Sequence, residues 1–140
     1  MKKSNQIALF VGAGIIAMTL SIGNAVAQDK PKGKPWKVDG AAEKVKSTVK
    51  ADEATLKEGK NLYATHCKSC HGVKGKGDGP KAAKIDISCG DFSKDTKTES
   101  DGTLFTKATD GRKPMPSFKE KLSDTERWQV IAFLRTLEEK

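Results

Sequence analysis

In "ATHCKSCHG", Ala64 to Gly72, two cysteines stand three positions apart and a histidine follows the second directly. The chain has three cysteines in 140 residues, and this stretch takes two of them. A C-x-x-C pair suits three chemistries: a redox dithiol, half of a zinc site, and a covalently attached haem. Each asks for a different surrounding chain, so this stretch constrains the fold more than any other.

The N-terminus sets the compartment. Lys2 and Lys3 begin a positively charged start. "IALFVGAGIIAMTLSI", Ile7 to Ile22, is apolar and free of charge, and "AVA", Ala25 to Ala27, supplies the small residues a signal peptidase reads. The run is shorter than the ~20 residues a membrane span needs. Residues 1–27 are therefore expected to be a signal peptide cleaved after Ala27, with an uncleaved membrane anchor as the rival reading. Export to the periplasm follows, and disulfides form and persist outside the cytoplasm.

Three cysteines cannot complete a disulfide framework. A four-ligand zinc site needs a second pair of Cys or His. Only Cys89 and His66 remain, and His66 abuts Cys67, where it can hardly close the same tetrahedron. A thioredoxin-like dithiol belongs at the end of a strand in a βαβ pattern. No alternating or β-branched run lies near Cys67. C-x-x-C-H, by contrast, is the attachment signature of c-type haem. Each thiol adds to one vinyl group of the porphyrin, and a single turn of chain separates the two sulfurs correctly. The next residue, His71, then points its imidazole at the iron. Apolar residues make up 36% of the chain, which is lean for a self-sufficient core, and a buried cofactor would help to fill it.

At these residues the chain resembles the small class I cytochromes c, over roughly Thr55 to Leu137. The resemblance implies an all-α cytochrome c fold: small helices wrapped around one covalently bound haem c, with the N- and C-terminal helices crossing. It implies thioether bonds from Cys67 and Cys70, His71 as proximal iron ligand, and a methionine as the other. Met1 and Met18 lie in the signal segment, so Met115 takes that place. It stands in "GRKPMPSF", where Pro114 and Pro116 fix φ and forbid helix. "GVKGKGDGP", Gly72 to Pro80, is too glycine-rich for a stable helix. In the family a carbonyl near such a Gly-Pro accepts the proximal histidine's ring N–H, a bond that sets its tautomer. That role is assigned here to Pro80.

Helical patterns frame the motif. "DEATLKEGKNLYATHC" sets Leu56, Gly59, Tyr63 and Cys67 on one stripe, with Asp52 as N-cap. "SDTERWQVIAFLRTLEEK" opens on a capping box, Ser123 and Glu126, and aligns Val130, Phe133, Leu134 and Leu137, with Trp128 and Ile131 beside them. Gly59 inside a helix is explained if another helix crosses there, and in the family a glycine and an aromatic of the first helix meet an aromatic of the last. Gly59, Tyr63 and Phe133 fit. A shorter helix is expected over about Gly102 to Thr109, stopping at Gly111. Residues 28–50 lie outside the resemblance. They are rich in Lys, Pro and Gly, carry an exposed-looking Trp36, and read as a linker or adhesive arm, with a helical turn or two expected in Ala41 to Lys50, before a haem domain at 51–140.

The formal net charge is +8, and loss of Lys2 and Lys3 leaves +6. A lysine-rich surface steers acidic partners. Nucleic acid is a poor partner, because basic and aromatic residues do not interleave. The chain shows no acid–base pair or nucleophile constellation, so no catalytic residues are assigned. The reading is a monohaem one-electron carrier between extracytoplasmic redox proteins. Two alternatives stand beside it: the electron-accepting subunit of a periplasmic dehydrogenase or sulfur-oxidising complex, and a haem-based gas sensor. A monomer is expected. Cys89, in "DISCGDF", departs from the family pattern and would allow a disulfide-linked dimer.

Overall fold

The helical stripe containing Gly59 meets a partner, and that crossing organises the molecule. The structure, a computed structural model, describes residues 30–138. The expected signal segment, 1–27, lies outside them. Six α-helices follow in order: α1 Gly40–Glu43, α2 Glu53–His66, α3 Lys68–His71, α4 Phe92–Asp95, α5 Asp101–Asp110 and α6 Asp124–Arg135. A short 3-10 turn, Ala82–Lys84, lies between α3 and α4. No strand occurs among the described residues, whose only bridge pairs Arg112 with Met115.

The caps are those the sequence predicts. The Asp52 side chain accepts from Thr55 N at 2.9 Å, satisfying one of the free donors that open α2. At α6, Ser123 and Glu126 form the full capping box. Helix α5 ends on Gly111 at φ 64°, a left-handed conformation that glycine adopts without steric cost.

Helices α2 and α6 cross backbone to backbone at Gly59. A Cβ built there would lie 2.0 Å from the Gln129 carbonyl oxygen and 3.0 Å from Phe133 Cβ. Beside this contact the Tyr63 and Phe133 rings meet at 5.3 Å. Gly59→Ala should therefore push the two helices apart, with a loss at or above the upper end of the ~1–3 kcal/mol typical of overpacking. Thermal unfolding of the haem-loaded protein measures it. An unchanged midpoint would mean that the close crossing does not exist.

Helix α6 contributes Trp128, Val130, Ile131 and Leu134 to the core, joined by Leu62 and Tyr63 of α2, Leu104 of α5, and Phe118 and Leu122 from the segment before α6. Trp128 stacks on Phe105 at 4.0 Å. Arg135 ties α6 to α5, its Nε donating to Asp101 at 2.7 Å and its Nη2 to the Glu99 carbonyl at 2.7 Å.

Residues 30–50 do not run free, as their Lys/Pro-rich composition suggests. Helix α1 lies so close to α5 that a Cβ on Gly102 would stand 2.1 Å from the Ala42 carbonyl oxygen. Ser100, the N-cap of α5, donates its hydroxyl to the Glu43 carbonyl at 2.8 Å. Composition reports a solvated segment, but these bonds run between residues far apart in sequence, which composition does not encode.

Candidate functional site: a cysteine–histidine turn facing a methionine loop

The C-x-x-C-H stretch is a single helical turn set directly after α2. Cys67 caps α2, its N–H bonding the Tyr63 carbonyl at 2.9 Å, and it also opens α3. The Cys70 and His71 N–H groups both return to the Cys67 carbonyl, at 3.1 and 3.0 Å. The glycine-rich loop then folds back on the same turn. Gly77 N donates to the His71 carbonyl at 2.9 Å and Gly79 N to that of Cys70 at 3.1 Å. The Tyr63 hydroxyl donates to the Gly72 carbonyl at 2.7 Å. The turn is thus held from both flanks, and its side chains open into a cavity of about 250 Å³.

Cys67, Cys70, His71 and Met115 all line that cavity. Met115 comes from the segment after α5, which is stitched to the end of that helix. Met115 N donates to the Arg112 carbonyl at 2.9 Å, Phe118 N to that of Ala108 at 3.1 Å, and the Ser117 hydroxyl to that of Thr109 at 2.6 Å. A Cβ on Gly111 would stand 2.4 Å from the Pro116 carbonyl carbon, so the loop closes tightly on its own start. Leu104, Leu122, Val130, Ile131 and Leu134 form apolar walls.

Burial sets the protonation of the turn. It lowers the His71 pKa to about 4, against the opposing effects of the Cys89 backbone and the Asp95 charge. The imidazole is neutral at ordinary pH, with a lone pair free to bind a metal. Its Nδ1 is buried without a hydrogen bond of normal geometry. Phe92 stacks on the ring at 4.5 Å. Burial, and then the neighbouring Cys70, pushes the Cys67 thiol up to about 12. A redox dithiol works through a thiolate of lowered pKa, so this pair is poorly suited to disulfide exchange. No disulfide joins the three cysteines. No group of three or more His, Cys, Asp or Glu side chains among the described residues could hold a metal ion, which leaves the zinc reading without ligands.

Two thiols, a neutral imidazole and a thioether around an apolar space fit a haem: the thiols for its vinyl groups, the imidazole and thioether for its iron. Pro80 is not brought to this site. Gly79 lies against the outer face of the attachment turn, where its Cβ would stand 2.5 Å from the Ser69 carbonyl oxygen, and Lys81 N bonds that same carbonyl at 2.8 Å. This turns Pro80 to solvent and outside the cavity lining. The Cys89 backbone and the Asp95 charge are the groups that act on the His71 ring. Cys89 is half-buried and lines the cavity, as do Trp36, Phe92 and Arg112. Sequence reasoning missed these contributors because no periodicity or motif links them to the turn.

Residues 54–134 match the family model described as cytochrome c oxidase, cbb3-type, subunit III. The chain belongs to this family and is a class I c-type cytochrome. Its cofactor is haem c, covalently bound and carrying iron, its fold is the all-α cytochrome c fold, and its role lies in electron transfer. A chain of a reducing HAO-like protein complex of Kuenenia stuttgartiensis is 33% identical, with a TM-score of 0.59 over 68% of this cytochrome and 50% of that chain. This cytochrome thus spans half the length of that relative. The c-type cytochrome KustC0563 is 27% identical over 58% of this chain and 98% of its own, with a TM-score of 0.49. Cytochrome CL of the marine methylotroph Methylophaga aminisulfidivorans is 22% identical over 76% of this chain and 71% of its own, with a TM-score of 0.48. No curated protein sequence matches. Among the described residues no helix is long and apolar enough to cross a membrane.

Proposed function

We propose that this cytochrome is a monohaem one-electron carrier that works between redox proteins outside the cytoplasm. Cys67 and Cys70 bind the haem, and His71 and Met115 ligate its iron. The observation that carries this reading is the convergence of those four side chains, distant in sequence as 67–71 and 115, on one apolar cavity. Bound there, the haem would supply one-electron chemistry at iron. The chain's part is to hold His71 neutral and buried, to present the thioether on a stitched loop, and to exclude water with the α5 and α6 side chains. The lysine-rich composition supports acidic docking partners. The signal-like residues 1–27 support export, with a haem domain at 51–140.

A second reading has its own support. The 33% identical relative is a chain of a reducing HAO-like protein complex and is twice as long as the part matched, which supports a role for this chain as the electron-accepting subunit of a larger assembly. An optical spectrum of the exported, redox-cycled protein tests the carrier reading. A low-spin haem c spectrum in both oxidation states is the expected outcome. A high-spin ferric spectrum, or a protein without haem, would reject it. Stoichiometric co-purification of a larger partner from the native source would favour the subunit reading instead.

A further inference from the structure

Residues 30–37 are tied at one end to the segment 82–88 and at the other to Arg112, both of which lead into the cavity lining. At one end the Lys30 ammonium donates to the Ala82 and Ile85 carbonyls, both at 2.5 Å, and Ser88 N donates to the Pro31 carbonyl at 3.0 Å. These bonds fix the arm to the segment that leads into Cys89. In the middle, Gly33 packs against Ile87. At the other end the Arg112 guanidinium donates to the Lys34 and Pro35 carbonyls, at 2.9 and 3.3 Å. It also lies 4.7 Å from the centre of the Trp36 ring. The Lys107 ammonium stands over the same ring at 5.7 Å.

Arg112 is the residue whose backbone bridges Met115. One side chain therefore fastens the arm to the loop that carries the thioether. The indole it clamps is half-buried and forms part of the same cavity lining as Met115, Pro114 and Pro116. A cation over an indole is attracted by the negative face of the ring. The two carbonyl acceptors fix the guanidinium plane against it.

We propose that residues 30–37 are a wall of the haem site, with Trp36 covering the cavity beside the methionine loop and Arg112 as the positioning residue that holds it there. The proposal rests on the reading of Met115 as an iron ligand. Its consequence is electrostatic as well as steric. Solvent exposure is one of the levers that set a haem potential, and water near the iron favours the charged ferric state. An outside ligand reaches the iron only in molecules whose cover is open, so its apparent affinity scales with that open fraction.

Trp36→Ala and Arg112→Ala should keep covalent haem and, with no ligand added, both iron ligands, yet imidazole, which binds the ferric iron as the Met115 thioether leaves it, should bind at least about tenfold more tightly. Their reduction potentials should fall. Trp36→Phe and Arg112→Lys should recover part of each change, which a general loss of stability would not produce. A readout independent of the haem is trypsin cleavage after Lys32 and Lys37, which should be slow in the wild type and fast in Arg112→Ala. If the haem-loaded variants match the wild type in imidazole affinity and potential, or if wild type and Arg112→Ala are cut at equal rates, the wall does not exist. Loss of the low-spin spectrum in the wild type itself would instead reject the Met115 reading, while the cleavage comparison would still judge the docked arm. Should Arg112→Ala fail to fold, Trp36→Ala decides through the same three measurements.

Discussion

A Cys67→Ala, Cys70→Ala double variant should carry no covalent haem and should lose most of its helical circular dichroism. The first half follows from attachment chemistry. Of the three thiols, Cys67 and Cys70 sit on the turn that also presents His71, whereas Cys89 arrives from another segment and cannot replace the pair. The second half follows from where the cavity lies. Leu104, Phe118, Leu122, Val130, Ile131 and Leu134 belong to the hydrophobic core and line the cavity as well. Without the porphyrin these side chains face a void of about 250 Å³. That lining then loses the contacts the porphyrin would make, and fully burying one large apolar side chain is worth about 1.5–3 kcal/mol. The whole stability of a small domain is ~5–15 kcal/mol, so the apoprotein is left close to its unfolding threshold. A denaturing gel stained for haem peroxidase activity and a far-UV spectrum make the two measurements. Haem stain retained on the double variant would refute the attachment assignment. Native-level helix signal without haem would show that the protein part of the core suffices.

The parts of this molecule legible in the sequence are those governed by short-range rules. The N-cap Asp52, the Ser123–Glu126 box and the Gly111 terminus each use donors and acceptors within a few residues. The Gly59 crossing was legible for a different reason: an unfavourable residue inside a good helix signals a close neighbour, and the resemblance to the class I cytochromes c implied Phe133 as the aromatic beside it. Chain position could not supply contacts between residues that share no pattern. Trp36 read as exposed because its neighbours are Lys and Pro, yet Arg112, 76 positions later, draws it to the cavity. Pro80 failed for a related reason. The Gly-Pro signature marks a turn, but Gly79 and Lys81 donate to carbonyls of the attachment turn, which decides the side that the proline faces. Phe92, stacked on His71, follows an irregular segment in which helical spacing from the motif has no meaning.

Met115→Ala should keep its haem and lose its low-spin state. Attachment depends on Cys67 and Cys70, and His71 is held by its own turn and by Phe92, so none of these is touched by the change. Among the described residues Met115 is the one methionine, so no second thioether lines the cavity. The loop itself should survive, because the bonds that stitch it use the backbone of Met115 and Phe118 and the hydroxyl of Ser117. The iron should then turn high-spin or take water or a lysine, and the reduced protein should bind CO readily. The potential should fall, because thioether sulfur favours Fe(II) and a harder ligand favours Fe(III). A hundredfold shift in that preference reads as roughly 120 mV for a one-electron couple. The ferric wild type should show the weak red absorption of sulfur-to-iron charge transfer, and the variant should not. If the variant keeps that band or the wild-type potential, Met115 is a packing residue, and the sixth ligand must be sought among the other side chains of the cavity, with His66 the first to replace.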